Sequence, residues 1–158
     1  MIPGKGYSGY YSLKDIIEEK RFETPRIVFV FEGNQLFANG KPIQGLRIVD
    51  NYAIIKGIHY TSWEGATQIR STERLEPSLD DPFVYLAQPG VMQGWPEHLI
   101  KKELGARVAN TAVKVQVVVP LERVWLKVGK NAVHFAISGV VSEYEIKKIE
   151  VQRLKQFS

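Results

Sequence analysis

The chain has 158 residues, of which 44% are hydrophobic and 24% charged, and this usage is typical of an ordinary globular domain. It contains no cysteine, which excludes disulfide bonds, thiolate metal sites and a cysteine nucleophile. The net charge of +4 is a mild bias toward anionic ligands, and no apolar run approaches the roughly 20 residues of a membrane helix. We therefore expect one domain over residues 1–158 and no membrane partner.

The first third of the chain predicts one short helix followed by strands. Residues 1–11 are polar and glycine-rich, as in a flexible lead-in. Ser12 precedes apolar residues at helical spacing, which predicts a capped helix to about Lys20. Asn39-Gly40 is a hairpin signal, because both central residues of such a turn must accept a positive φ. Apolar, β-branched runs predict strands over residues 27–31, 46–49 and 52–60.

The rest of the chain predicts two short helices and a strand-rich end. Thr61 and Glu64 form a T-x-x-E capping box, which predicts a helix from just after His59-Tyr60 to about Arg70. A second helix is predicted between Pro96 and Gly105. Strands are predicted over residues 83–87, 112–119, 131–137 and 140–151, with a Gly- and Pro-rich loop over 88–96. Because helices and strands do not alternate regularly, the order favours an α+β fold over a parallel βαβ fold.

Three short segments contain side chains suited to catalysis or ligand binding. They are Gly57–Ser62 at the end of a strand, Phe83–Ala87 on a strand, and Ser142–Ile146 on the last predicted strand. In this order they resemble the His–Tyr–Glu branch of the ADP-ribosyltransferases, which includes diphtheria toxin and the poly(ADP-ribose) polymerases. The first segment also looks like the His-Tyr domains at the ends of bacterial polymorphic toxins. The resemblance covers residues 52–151 and implies an ADP-ribosyltransferase-like split β-sandwich with short flanking helices.

The same resemblance implies a mono-ADP-ribosyltransferase that uses NAD as a substrate and needs no metal. Breaking the bond between nicotinamide and ribose develops positive charge on the ribose, and a nearby carboxylate stabilises that charge. Glu143 is the candidate for this carboxylate. Tyr85 is the candidate for stacking on the flat nicotinamide ring. By resemblance, His59, Tyr60 and Thr61 form the segment that holds the ribose and the carboxamide.

Glu145 is a second candidate for the catalytic carboxylate. Two residues that are two positions apart on a strand point to the same face, so Glu143 and Glu145 would share one face of the last predicted strand. In arginine-directed transferases the second glutamate of such an E-x-E pair is catalytic. Those enzymes also carry an S-T-S motif, which this chain does not complete. We therefore favour Glu143 over Glu145.

Two further observations concern the stacking aromatic and the metal ligands. The polymerase branch often has a second stacking aromatic shortly after the first tyrosine, and Trp95 is in a position to serve. His98 and His134 lack metal-ligand spacing with any partner, so no metal site is expected.

The acceptor and the setting are open at this point. A protein side chain, a nucleic acid or a small molecule could be the acceptor; water as the acceptor would make the chain an NAD glycohydrolase. The toxin resemblance implies delivery from a bacterium into the cytoplasm of a target cell, with an acidic immunity protein as a partner. An RNA-directed enzyme of the same fold, such as a tRNA 2′-phosphotransferase, is an alternative motivated by basic residues: Arg70, Arg74, Lys101 and Lys102. A noncatalytic β-rich interaction module is another, in which His59 and Glu143 would lie far apart.

Overall fold

A computed structural model describes residues 9–154 and has a mixed α+β fold, with mostly antiparallel sheets and three short helices. The helices are α1 (Leu13–Glu19), α2 (Trp63–Thr72) and α3 (Glu97–Leu104), with a 3-10 turn at Leu121–Arg123. The strands are β1 (Tyr10–Ser12), β2 (Arg21–Glu23), β3 (Val28–Glu32), β4 (Gln35–Ala38), β5 (Lys41–Pro42), β6 (Leu46–Val49), β7 (Tyr52–Thr61), β8 (Phe83–Leu86), β9 (Thr111–Pro120), β10 (Val124–Val128), β11 (Val133–Ser138) and β12 (Ile146–Arg153). No helix within the described part of the chain is long and apolar enough to cross a membrane.

The strands form three four-stranded sheets in which neighbouring strands are antiparallel. Sheet 1 has the order β1-β10-β11-β8, sheet 2 has the order β12-β9-β7-β6, and sheet 3 has the order β2-β3-β4-β5. The two longest strands, β7 and β9, pair along their full length at the centre of sheet 2. These two strands therefore give sheet 2 the extended surface on which the main pocket lies.

The core fills the space against the inner face of sheet 2. Successive residues of a strand point to opposite faces, and β9 follows this alternation. Its residues Val113, Val115 and Val117 are buried, whereas Lys114 is exposed on the opposite face and Gln116 is half-buried there. The main apolar cluster also includes buried residues of sheet 1 and of the helices: Leu86, Leu126, Phe135, Leu13, Ile16, Ala66 and Ile69. The inner faces of the sheets thus hold the fold together, and the outer face of sheet 2 is left for other contacts.

Sheets 1 and 2 are joined by a β-bridge between Ile58 and Ala87, the residue after β8. Ile58 N donates to Ala87 O at 3.0 Å, and Ala87 N donates to Ile58 O at 2.8 Å. Gly57 permits this close approach, because a Cβ at this position would lie 2.8 Å from Leu86 Cβ. The glycine next to the bridge is therefore required by the distance between the two sheets.

Two of the predicted helix signals are confirmed, and one shifts by a residue. Ser12 caps α1 through its hydroxyl, which accepts from Asp15 N at 3.3 Å. Gly105 ends α3 in the left-handed conformation with φ 66°. The prediction that Thr61 caps α2 is wrong, because Ser62 is the cap and its hydroxyl accepts from Gly65 N at 3.0 Å. Thr61 instead ends β7, paired with Thr111.

The largest correction concerns the last predicted strand. Residues 140–151 do not form one strand, since β12 begins only at Ile146. Val141 forms a separate bridge with Leu75, and Glu145 N donates to Ser142 O at 3.0 Å, which closes a turn. The sequence predicted a strand here because β-branched residues flank the segment, but the turn interrupts their alternation. Glu143 and Glu145 therefore do not lie on a strand and do not share a strand face.

The structure also contains strands that the sequence did not predict. These strands are β1, β2, β4, β5 and β10. β1, β2, β4 and β5 have only two to four residues each, whereas β10 has five, and β1 includes Tyr10 and Tyr11 from the segment predicted as a lead-in. The remainder of that predicted lead-in, residues 1–8, lies outside the described residues.

Candidate functional site

The main pocket lies on the outer face of sheet 2, beneath the loop between β8 and α3. Its volume is about 920 Å³, within the range of small-molecule sites. The floor is formed by alternate residues of β7, β9 and β12, and the roof by Pro89–Trp95. The pocket is therefore large enough for a nucleotide-sized ligand.

Strand register arranges the pocket floor in three rows across sheet 2. Neighbouring strands lie about 4.8 Å apart, and residues two apart on one strand are about 6.6 Å apart along it. The rows, from the roofed end to the open end, are Tyr60–Ala112–Gln152, Ile58–Lys114–Glu150 and Lys56–Gln116–Lys148. The floor is thus aromatic and polar at one end, has a carboxylate beside a lysine in the middle, and has two lysines at the other end.

The roof is fixed by apolar packing and by one buried amide. Met92 is buried in a small cluster with Tyr60 and Ile100, and Trp95 packs against the same cluster. The buried side chain of Gln88 donates from Nε2 to Val133 O at 2.7 Å, and its Oε1 accepts from Gln44 N at 2.8 Å. The start of the loop is therefore anchored to β11 and to the residue Gln44 between β5 and β6, and Tyr60 and Trp95 both line the aromatic end of the pocket.

The charges in the pocket are mostly positive. Its lining contains four cationic side chains and one carboxylate, which is Glu150. Within residues 9–154, Lys56, Lys114 and Lys148 make no ion pair, and neither does Glu150. Arg153 differs, because its guanidinium carbon lies 4.1 Å from the centre of the Trp63 ring. The unpaired lysines leave positive charge available for an anionic ligand.

His59 lies beside the pocket but faces away from it. Alternation along β7 places His59 on the face opposite to Tyr60, and its Nδ1 lies 2.9 Å from Tyr85 O. Because a carbonyl oxygen only accepts, Nδ1 carries the proton and donates. Burial lowers the pKa of His59, and this hydrogen bond opposes part of that effect. His59 therefore links β7 to β8 next to the bridge between the sheets.

Tyr85 contacts His59 through its backbone carbonyl. The Tyr85 side chain points elsewhere and belongs to a cluster on sheet 1. The Tyr85 hydroxyl donates to Asp81 Oδ2 at 2.6 Å and lies 2.6 Å from the Tyr10 hydroxyl. Lys127 Nζ lies 4.9 Å from the centre of the Tyr85 ring. Burial and the hydrogen bond to Asp81 raise the pKa of Tyr85. The ring is not part of the pocket lining.

The two predicted catalytic glutamates are not brought to His59. Glu143 is exposed in the turn before β12. Glu145 Oε2 forms a 2.6 Å ion pair with Arg123, and Glu145 O accepts from Val118 N at 2.8 Å. Val118 pairs with Ile54, five residues before His59 on β7, so Glu145 lies roughly 16 Å along the sheet from His59.

Tyr60 is the predicted ligand residue that lines the pocket, and burial raises its pKa. Thr61 follows it at the end of β7 and is not in the lining. Sequence reasoning missed Glu150 and Lys114. The alternation of apolar and charged residues over 113–117 and 148–151 would have indicated them, because it places these two charged side chains on one face.

No group of three or more His, Asp or Glu side chains among residues 9–154 could hold a metal ion. A scan against models of protein families, a search of curated proteins and a search of solved structures find no match for this chain.

Proposed function

We propose that the protein is an NAD-dependent mono-ADP-ribosyltransferase that binds NAD in the pocket on the outer face of sheet 2. The observation that carries this proposal is the combination in one pocket of Trp95, Tyr60 and Glu150 with unpaired lysines. Aromatic faces suit the flat rings of NAD, the lysines suit its diphosphate, and a carboxylate suits the ribose at which charge develops.

Glu150 is the proposed catalytic carboxylate. The bond between ribose C1 and the nicotinamide nitrogen breaks, and its electron pair neutralises the positively charged nicotinamide ring. The ribose passes through an oxocarbenium-like state, which the Glu150 carboxylate stabilises. An acceptor oxygen or nitrogen then forms the new bond to C1 and loses its proton to solvent.

The register of sheet 2 supports this assignment. Glu150 and Tyr60 lie in adjacent rows and two strands apart, a separation of roughly 12 Å between backbone positions that leaves room for a ribose between an aromatic ring and the carboxylate. Lys114 lies between them on β9 and is the proposed ligand of the diphosphate. Trp95 on the roof is the second aromatic face.

The proposed fold is the split β-sandwich of the ADP-ribosyltransferases. Two antiparallel sheets that are joined at Ile58–Ala87 and contribute to one apolar core support that description. The sequence order of a His-Tyr strand and a tyrosine strand also supports it, and the glutamate on the late strand is Glu150, because the Ser142-Glu143-Tyr144 segment is a turn. In this proposal His59 is a positioning residue, because it acts through its hydrogen bond to Tyr85 O on the strand that leads into the roof loop.

The test is nicotinamide release from NAD, followed by chromatography with and without a cell lysate as a source of acceptors. We expect Glu150→Gln to lower the rate by at least about 100-fold, the scale of a lost electrostatic contact in a transition state. Glu143→Gln is the matched control, because it removes the same charge from an exposed turn. Release that requires lysate supports a transferase, and release without lysate indicates a glycohydrolase.

Two outcomes would contradict parts of the proposal separately. If Glu143→Gln abolishes release and Glu150→Gln does not, the reaction stands and the pocket assignment is wrong. If the folded protein neither releases nicotinamide nor binds NAD in calorimetry, the enzyme reading fails and a noncatalytic binding module replaces it.

A further inference from the structure

The positive charge on the outer face of sheet 2 extends from the lysines at the open end of the pocket onto β6. Arg47 on β6 pairs with Ile54, which places it on the same face as Lys56 and Lys148. All three side chains are exposed, and none forms an ion pair within residues 9–154. They define a basic face (Arg47, Lys56 and Lys148) at the open end of the groove.

Few acidic side chains compensate this charge. The register assigns to this outer face the alternate residues of four strands, from Arg47 on β6 to Lys148 and Glu150 on β12. Among them Glu150 is the one carboxylate within the described ranges of these strands, and it lies in the middle of the groove. The open end therefore has a concentrated positive potential, although the whole chain has a net charge of only +4.

We infer that this basic face binds single-stranded nucleic acid and presents it as the acceptor of ADP-ribose. Proteins that bind single strands combine a basic groove for the phosphates with aromatic side chains for the bases. The groove here joins Lys56 and Lys148 to Gln116 between them, and it leads toward Tyr60 and Trp95. The amide of Gln116 can donate to and accept from base edges.

The acceptor role rests on the proposed NAD cleavage, whereas the binding itself does not. A nucleophilic oxygen or nitrogen of the strand forms the bond to ribose C1 as nicotinamide leaves, and its proton goes to solvent. A duplex fits less well, because the acceptor nucleotide must enter the groove to reach ribose C1, and a paired base would first have to leave its partner. An acidic protein is also negatively charged but has no flat bases. Displacement of RNA by poly-glutamate distinguishes an acidic protein from a nucleic acid as the ligand.

The experiment measures the fluorescence anisotropy of a labelled RNA of about 12 nucleotides, and of the corresponding DNA, over about 50 to 200 mM salt. We expect both strands to bind the wild type. The double variant Lys56→Gln/Lys148→Gln is expected to weaken binding by at least about tenfold. Its slope of log K against log salt should be shallower by about 1.4, since each lost phosphate contact contributes about 0.7 for single strands.

The matched control is Lys14→Gln/Lys41→Gln, which makes the same change of charge on α1 and β5, away from the outer face of sheet 2. The inference is overturned if no strand binds at micromolar protein, if the control loses as much affinity as the double variant, or if poly-glutamate displaces RNA as efficiently as unlabelled RNA does. Strand binding without nicotinamide release would retain the nucleic-acid surface and refute the proposed function. Nicotinamide release without strand binding would retain the proposed function and refute the nucleic-acid surface.

Discussion

The buried pair Glu103–His134 is expected to make the stability of the protein depend on pH. His134 Nε2 lies 2.7 Å from Glu103 Oε2, and both side chains have 0% exposure. Glu103 Oε1 also accepts from the backbone and side-chain nitrogens of Asn131. His134 Nδ1 is buried without a hydrogen-bond partner among the described residues. Because a carboxylate accepts, Nε2 carries the proton, and a second proton would have to enter at Nδ1 without an acceptor.

The direction of the effect follows from the pKa of His134. Burial lowers this pKa from 6.5, the hydrogen bond and charge of Glu103 oppose the shift, and the charge of Lys127 adds to it. Between the folded pKa and 6.5, the unfolded chain binds a proton that the folded chain does not. The free energy of unfolding therefore falls as the pH falls below about 6.5, by at most about 1.4 kcal/mol per pH unit for one proton.

The assay is urea unfolding of the wild type and of His134→Gln at several values between about pH 8 and about pH 5. At the higher pH we expect the variant to be less stable by about 1–3 kcal/mol, because Glu103 loses a buried partner. The difference between the two proteins should shrink as the pH falls, since the variant has no proton to take up at this position. His98→Gln is the control, because His98 is an exposed histidine on α3, the helix that carries Glu103. A difference that stays constant or widens over this range would refute the reasoning.

Two further predictions concern the contacts that hold the sheets and the turn. Gly57→Ala is expected to destabilise the fold by about 1–3 kcal/mol, because the added Cβ would lie 2.8 Å from Leu86 Cβ at the bridge between sheets 1 and 2. An unchanged melting temperature would show that the sheets can move apart freely. Arg123→Met is expected to cost about 2 kcal/mol in urea unfolding, because the guanidinium donates to Glu145 and to Val140 O. Retention of wild-type stability would contradict its role in fixing the turn before β12.

The elements that the sequence predicted well are those with a strong local cause. Ser12 caps α1 and Gly105 ends α3, because a side-chain cap and a left-handed residue act within one turn of a helix. Residues 52–60 are apolar enough to be recognised as a strand without knowledge of their partner. β2 has only three residues, and β1 pairs with β10 more than 100 residues later in the chain, a pairing that no local pattern specifies.

Only the part of the candidate site that depends on local sequence was predicted correctly. Tyr60 lies at the end of a recognisable strand and does line the pocket. Glu143 and Glu145 were chosen on the assumption of a continuous strand, and the turn closed by Ser142 and the ion pair with Arg123 remove that assumption. Arg123 lies 22 residues before Glu145, so a contact of this kind cannot be read from spacing.

Glu150 shows how register determines the chemistry of this surface. A β-bulge between Ile146 and Lys148 shifts the pairing of β12 with β9. A strand that slipped by one residue would turn its side chains to the opposite face. With the observed register, Lys148 and Glu150 face the groove, while Ile149 and Val151 pack against the core. The same alternation that gives β12 its apolar inner face therefore places a carboxylate and a lysine on the outer face, so the fold and the proposed site depend on one register.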